Sequence, residues 1–296
     1  MVVGESVVVK WLTPPVPLPH PTPDIFAHLV DSGFNDTAPP YAALTGVLDG
    51  REHLLALVTG YLPEARDGWE WCVDEAVAGT TSFAAELGRL AADLHLALST
   101  LPSRGGAPTG DRAYRALAEA LELTGDDWLA GQAGTMRREL AVLESPITTP
   151  LIRIHGDLHV GQILQWRDGY AVIDFDGNPT VTDAASCQPA ARDVAQLTTS
   201  LEHVAQVAIK RRSVPPGRAV EWAGRAREIL LTAYKHRLAA RNRPDLLDET
   251  LIRPFEVEQE CRELIYAARH LPRWRYAPMG VLRTWYGADP RKENIA

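Results

Sequence analysis

The most informative part of the sequence is residues 151–179, which read LIRIHGDLHVGQILQWRDGYAVIDFDGNP. Asp157 falls in a loop after a short apolar strand, Gln162 follows it, and Asp174 ends the next strand. This order suits phosphoryl transfer, in which one carboxylate orients the attacking hydroxyl while an amide oxygen and a second carboxylate hold magnesium against nucleotide phosphates. Because Mg²⁺ prefers oxygen ligands, Gln162 and Asp174 suit a metal site. Each part alone is common, and only the combination predicts kinase chemistry.

Two histidines in the same stretch offer an alternative, a zinc site. His159 follows His155 by four positions, and carboxylates lie nearby in the sequence. The surrounding residues do not form HExxH, Gly156 disfavours a helix there, and no pair of cysteines helps. A zinc-dependent hydrolase is therefore the weaker hypothesis. In the kinase hypothesis His155 packs the catalytic loop, and His159 is a candidate substrate contact.

Charge and composition exclude several classes of function. The 296 residues include 30 basic and 38 acidic side chains, and the net charge of −8 disfavours binding to nucleic acid or to anionic membranes. The three cysteines are far apart and odd in number, and no signal peptide or long apolar stretch is present, so we expect a cytoplasmic protein. Lysine is scarce beside arginine, which makes Lys10 a conspicuous candidate for a functional cation.

Residues 1–62 predict a small α+β unit. A β-branched run predicts a strand over 6–12, and the prolines from 14 to 23 predict an extended connector. Apolar spacing predicts a helix over 24–32, and the Asp49-Gly50 pair predicts the turn of a hairpin.

Residues 63–296 predict a larger lobe that is mainly helical. Two short strands are predicted near 151–154 and 170–174. Amphipathic or helical patterns cover 81–98, 111–123, 126–144, 190–212, 217–241 and 247–270. The sequence therefore predicts an α+β fold with two lobes that join at residues 61–63.

Several motifs together resemble those of one enzyme family. The chain carries HGDLHVGQ at 155–162, VIDFDG at 172–177, RDVA at 192–195 and YAARHLPRW at 266–274. These motifs are similar to those of the aminoglycoside phosphotransferase-like kinases, and most closely to the actinobacterial maltokinases and glucosamine kinases among them. The resemblance covers nearly the whole chain. It implies a bilobal protein-kinase-like fold, with an incomplete small N-lobe and a large helical C-lobe.

The resemblance also implies residue roles, with ATP and Mg²⁺ as cofactors. Asp157 would be the catalytic base, Gln162 and Asp174 the magnesium ligands, and Lys10 the contact to the α- and β-phosphates. The family pairs this lysine with a glutamate on the next helix, where this sequence has none, so Asp24 is the candidate partner. Asp24 equally suits the N-terminus of that helix, and Lys10 has an alternative role as a solubility residue on an edge strand.

The adenine would lie against the connection between the lobes. Backbone groups of five residues would contact its edge: Val58, Thr59, Gly60, Tyr61 and Leu62. Kinases of this family cover the triphosphate with a loop that precedes the lysine strand, and only nine residues precede Lys10 here. We therefore expect a chain truncated at its N-terminus, and the alternative is a pseudokinase or sugar-binding module.

The last predicted helix, 247–270, carries the candidate sugar contacts. Glu256, Glu260 and Glu263 are spaced to share one helical face, for which the ordinary interpretation is a solvated acidic face. The resemblance implies instead that Glu260 and Glu263 contact the sugar and that its ring stacks on Trp274. Since carboxylates complement an ammonium group, glucosamine is the first predicted substrate and maltose the second, with aminoglycosides and other small molecules as further alternatives.

Overall fold

The fold combines one antiparallel sheet near the N-terminus with a larger set of packed helices. The computed structural model describes residues 1–101, 110–177 and 187–287. The strands in this part of the chain are β1 (Val2–Val3), β2 (Val7–Pro17), β3 (Pro40–Leu48), β4 (Arg51–Gly60), β5 (Ile152–Arg153), β6 (Ile163–Trp166), β7 (Gly169–Val172) and β8 (Cys187–Gln188). The helices are α1 (Pro21–Asp31), α2 (Gly68–Ala78), α3 (Phe83–Leu98), α4 (Gly110–Thr124), α5 (Asp127–Leu140), α6 (Ala191–Arg212), α7 (Pro216–Ala240), α8 (Ile252–Arg269) and α9 (Tyr276–Tyr286). Asn178 and Pro179, which end the motif stretch, lie outside the described residues.

The sheet places Lys10 and carries the predicted hairpin. Its strand order is β1-β2-β4-β3, and Lys10 on β2 pairs with Leu57 on β4. The turn between β3 and β4 has φ of 50° at Asp49 and 75° at Gly50. Positive φ at both central residues matches the twist of antiparallel strands, which explains the Asp-Gly pair. The hairpin prediction is confirmed.

The proline-rich connector is more ordered than the sequence predicted. β2 continues to Pro17 with an irregular register between Trp11 and Val16, and α1 already begins at Pro21. The prediction of an extended connector over residues 14–23 is therefore wrong at the C-terminal end of that range. Proline is tolerated in the first helical turn, because the N–H groups there have no partner within the helix.

Close packing between helices builds the larger part of the molecule. Gly88 on α3 illustrates the packing, because a Cβ at this position would lie 2.3 Å from the carbonyl oxygen of Leu230 on α7. Glycine within a helix costs about 1 kcal/mol relative to alanine, so its presence here reflects the close approach of the two backbones. Trp71 and Trp222 are almost completely buried in the same core.

Helix α2 was not predicted, and it lies directly on the loop of the HGD motif. A Cβ on Gly68, its first residue, would lie 1.6 Å from the carbonyl oxygen of Val160. Helix α9 was also missed. None of the helices in the described residues has a stretch long and apolar enough to span a membrane.

Candidate active site

A buried carboxylate holds the loop that carries Asp157. Asp193, at the start of α6, accepts hydrogen bonds from the backbone N–H groups of His155 (2.7 Å) and Gly156 (2.9 Å). The imidazole of His95 lies 3.1 Å from the same carboxylate, and Asp193 is fully buried. Burial alone would raise the pKa of Asp193, but the hydrogen bond and charge of His95 outweigh it and hold the pKa below its usual range. An ionised carboxylate thus fixes the backbone just before Asp157.

The Asp157 carboxylate is oriented by neighbouring side chains. Gln196 Nε2 donates to Asp157 Oδ1 at 2.7 Å, and Gln162 Nε2 makes a long contact of 3.5 Å with Oδ2. His159 Nε2 lies 3.7 Å from Oδ2. Burial lowers the pKa of His159 against the opposing effect of Asp157, so its ring is neutral at neutral pH. These contacts therefore fix the orientation of the Asp157 carboxylate, whose oxygens are hydrogen-bond acceptors.

Lys10 lies against the carboxylates that follow β7. Its Nζ donates to Asp174 Oδ1 and to Asp176 Oδ2, each at 2.6 Å. Thr22 on α1 donates to the other oxygen of Asp176 at 2.7 Å. Burial alone would lower the pKa of Lys10, but these two carboxylates raise it above its ordinary value. The sequence had predicted Asp24 as the partner of Lys10, and that prediction is wrong, because α1 directs Thr22 rather than Asp24 toward this cluster.

The residues predicted to hold magnesium have suitable chemistry. Asp174 adopts a left-handed backbone conformation with φ of 65°, which is uncommon outside glycine and marks a specialised position. Its carboxylate already attracts a cation, the ammonium of Lys10. Gln162 directs its amide nitrogen toward Asp157, so its carbonyl oxygen can face elsewhere. Two oxygen donors suit Mg²⁺, which normally completes its coordination with water and phosphate oxygens.

His155 is unsuited to binding zinc. Its Nε2 lies 2.9 Å from the carbonyl oxygen of Ile173, and its Nδ1 accepts from the N–H of Asp157 at 3.3 Å. The ring packs 5.1 Å from Phe175 and is buried. Both nitrogens are thus used within the protein. The zinc hypothesis fails on this observation, while the packing matches the structural role expected for His155.

In the connection between the sheet and the helices, two of the backbone N–H groups predicted to be near adenine already have partners within the protein. The N–H of Gly60 donates to the carbonyl of Pro39 at 2.7 Å, and the N–H of Tyr61 donates to that of Ser6 at 2.9 Å. Val58 and Thr59 lie inside the β2–β4 ladder, and the Leu62 side chain is buried. Adenine recognition by these residues stays a prediction, and it would rest mainly on carbonyl groups and side chains.

A cavity of about 890 Å³ opens beside Asp157. Its walls include His159, Glu263 and Trp274, three of the predicted sugar contacts. Glu263 accepts from Trp274 Nε1 at 2.8 Å and from Gln259 Nε2 at 3.0 Å, which fixes both side chains. The structure therefore brings the candidate base, a carboxylate and an aromatic ring to one cavity.

Glu260 does not face this cavity. It is completely buried behind His203, whose Nε2 lies 3.0 Å from Glu260 Oε2. Of these two residues, His203 lines the cavity and Glu260 does not. Burial, with Glu263 and Glu256 nearby, raises the pKa of Glu260 well above its usual range. Glu256 is buried as well, where it accepts from Thr198 and Arg227. The predicted sugar contact at Glu260 is wrong, and so is the solvated acidic face, because α8 turns this face toward α6.

Comparison with known proteins places the chain in a family. Residues 28–212 match the model of the phosphotransferase enzyme family, described as APH. The chain belongs to this family. The predicted resemblance is therefore confirmed.

The relatives of this phosphotransferase include glucosamine kinases that match it over most of its length. It is 38% identical to a glucosamine kinase of Streptacidiphilus jiangxiensis, in a match that covers 94% of this chain and 69% of the relative. It is 35% identical to one of Mycolicibacterium smegmatis, over 95% of this chain and 75% of the relative. A solved glucosamine kinase in complex with glucosamine, ADP and inorganic phosphate superposes with a TM-score of 0.82 at 35% identity, over 96% and 73% of the two chains. The bilobal protein-kinase-like α+β fold is thereby confirmed.

Sequence reasoning missed several residues of the phosphotransferase site. Asp193, Gln196 and His203 all lie on α6, whose first turn contains the RDVA motif, and Gln196 and His203 are two helical turns apart on one face. Polar residues at that spacing within a predicted helix were an available signal. Trp69, which packs 5.7 Å from His159, carried no signal because α2 was not predicted.

Proposed function

We propose that this phosphotransferase transfers the γ-phosphoryl group of ATP to a hydroxyl of glucosamine, with Mg²⁺ as the metal. The observation that carries the proposal is the position of the Asp157 carboxylate in a cavity that also exposes the Glu263 carboxylate. The first group suits a hydroxyl and the second suits an amine. The glucosamine kinases among the relatives support the same substrate.

Asp157 acts as the base in this proposal. The amide of Gln196 holds one carboxylate oxygen at 2.7 Å, and in this proposal the other oxygen accepts the proton of the acceptor hydroxyl. The hydroxyl oxygen then bonds to the γ-phosphorus, the bond to the ADP oxygen breaks, and the proton stays on Asp157. Asp193 contributes by holding the backbone of His155 and Gly156, which fixes Asp157 relative to α6.

Residues near Lys10 bind the nucleotide phosphates. Asp174 and the amide oxygen of Gln162 would hold Mg²⁺, which neutralises charge on the transferring group when bound. Lys10 supplies a point charge for the phosphates, and its contacts with Asp174 and Asp176 keep it beside that position. In this proposal residues 1–62 contribute mainly nucleotide contacts and residues 63–296 the base and the sugar cavity. We place the reaction in the cytoplasm, where ATP is available and an odd number of cysteines suits the reducing conditions.

The sugar amine would pair with Glu263. Hydrogen bonds from Trp274 and Gln259 hold this carboxylate without neutralising its charge. The aromatic walls formed by Trp69 and Trp274, whose ring centroids are 5.6 Å apart, provide apolar surface for the pyranose ring. A neutral sugar would leave the Glu263 charge without a partner, which favours glucosamine over maltose.

A coupled ADP-release assay tests the proposal. The purified chain is given ATP and Mg²⁺ with glucosamine, maltose, glucose or an aminoglycoside, and we expect the highest kcat/KM with glucosamine. Asp157→Asn should lower kcat about 1,000-fold, within the range for loss of a general base. Asp168→Asn, at an exposed position beside Arg167, is the matched control and should leave kcat unchanged.

Three results would contradict this proposal. Preferred turnover of maltose or an aminoglycoside would assign a different acceptor, and full activity of Asp157→Asn would remove the assigned base. Binding of glucosamine without ADP release would select a sugar-binding module instead.

A further inference from the structure

The cavity beside Asp157 continues as a groove along one face of α6. Seven lining residues follow one another on this helix at intervals of one to four positions: Gln196, Thr199, Ser200, His203, Val207, Arg211 and Arg212. Gln196 contacts Asp157, and Arg211 lies fifteen residues further on. At 1.5 Å per residue, the groove extends about 22 Å from the catalytic carboxylate. That length is several times the width of one pyranose ring.

The volume of the cavity also exceeds what one hexosamine requires. About 890 Å³ is near the upper end of the range for pockets that enclose drug-sized ligands, roughly 300–1,000 Å³. Glu263 and Trp274, the proposed sugar contacts, line the groove together with residues that one hexosamine at Asp157 would not reach, such as Arg211. The remaining length has no role in binding glucosamine.

Helix α8 forms the adjoining wall, in register with α6. Thr198 bonds Glu256 at 2.8 Å, and His203 lies 3.0 Å from Glu260, so the two helices advance side by side in the same direction. Continued by two turns, this register places Tyr266 of α8 beside the Arg211 end of α6. Tyr266 is 39% exposed and lines the groove.

The far end of the groove is basic. Arg211 is exposed, and in the described ranges no acidic side chain pairs with it. Arg212 beside it bonds Asp74 of α2 at 3.1 Å, so its charge is already compensated. A guanidinium without a partner at the end of a groove suits a carboxylate or phosphate, which it binds through two parallel hydrogen bonds. An exposed tyrosine ring nearby offers a face for a sugar.

We propose that Val207, Arg211 and Tyr266 form a second subsite, which binds an anionic sugar ring attached to the glucosamine unit that is phosphorylated. This inference rests on the proposed function, in which the first subsite is the glucosamine site formed by Asp157, Glu263 and Trp274. The acceptor class is an amino-sugar oligosaccharide that carries an acidic group, and free glucosamine fills only the inner part of the groove.

Matched acceptors test the second subsite. We compare glucosamine, a neutral disaccharide of glucosamine and glucose, and an acidic disaccharide of glucosamine and glucuronic acid, each disaccharide in both linkage orders. The wild-type chain should show a KM for one acidic disaccharide about tenfold or more below that for glucosamine, the gain expected from one charge-assisted contact. Glucosaminyl phosphate esters in a separate arm show whether phosphate serves as well as carboxylate.

Variants assign the gain to the groove. Arg211→Glu should abolish the preference for the acidic disaccharide, and Tyr266→Ala should reduce it for both disaccharides. Lys210→Glu makes the same change of charge one position away on α6, at an exposed residue outside the groove lining, and should keep the preference.

The outcomes separate this inference from the proposed function. Equal KM values for glucosamine and the acidic disaccharide, or a preference that survives Arg211→Glu, would overturn the second subsite even if glucosamine is phosphorylated. If no acceptor is phosphorylated, the proposed function fails. Calorimetric titration with the acidic disaccharide then tests whether the second subsite exists, independently of turnover. Binding that is weakened by Arg211→Glu but not by Lys210→Glu supports the subsite, and any other result refutes it.

Discussion

Replacing Asp193 by asparagine should both destabilise the protein and misplace its catalytic loop. The carboxylate is fully buried and accepts backbone hydrogen bonds from His155 and Gly156. Asparagine keeps the shape and one acceptor oxygen, but its NH₂ group meets the second N–H donor. One charge-assisted hydrogen bond is lost and one buried N–H is left unpaired, which together cost about 3 kcal/mol. The loop displacement should lower kcat about 100-fold, as expected for an error of about 1 Å in the position of a catalytic group.

Urea unfolding and steady-state kinetics measure these two effects. Asp168→Asn removes an exposed carboxylate and should change the free energy of unfolding by less than about 0.5 kcal/mol. Because the pKa of Asp193 is lowered on folding, its contribution is fully present above the unfolded value of about 4 and is lost as the pH falls through the folded pKa. The stability difference between wild type and variant should thus be constant above about pH 5 and shrink below pH 4. A loss below 1 kcal/mol at neutral pH, or wild-type kcat, would refute the reasoning.

Two further predictions separate nucleotide from sugar binding. Lys10→Met removes the cation beside Asp174 and should raise the KM for ATP about tenfold or more, while the KM for glucosamine changes little. Lys235→Met, at a surface ion pair, is its control. An unchanged KM for ATP in Lys10→Met would argue against phosphate binding by Lys10. Glu263→Gln keeps the shape of the side chain but removes its charge, so the KM for glucosamine should rise about tenfold while the low activity with glucose stays constant. An equal loss with both sugars would show that Glu263 supports the cavity wall rather than the amine.

Local patterns allowed accurate prediction where the physical cause was local. Asp49-Gly50 predicted the β3–β4 turn because the required backbone conformation depends on these two residues alone. The spacing of Asp157, Gln162 and Asp174 predicted a common site, and the structure places Gln162 in contact with Asp157. The likeness to a phosphotransferase family followed from the same segment and is confirmed.

Predictions failed where a residue's role depends on a distant element. Glu260 has the same periodicity as Glu263, yet it is buried against His203 because α8 packs on α6. Asp24 was chosen as the partner of Lys10 from chain order, while the carboxylates in contact come from residues more than 160 positions away.

The sequence by itself determined the class of chemistry, because the residue types that transfer a phosphoryl group lie within one short segment and their spacing reflects local strands and turns. Only the tertiary structure decided which carboxylates face the cavity and how far the groove extends. Burial and helix register depend on the packing of α6 against α8, and carboxylates with the same helical spacing differ only in what packs against them. The same packing brings Arg211 and Tyr266, which are 55 positions apart in the sequence, into the lining of one cavity.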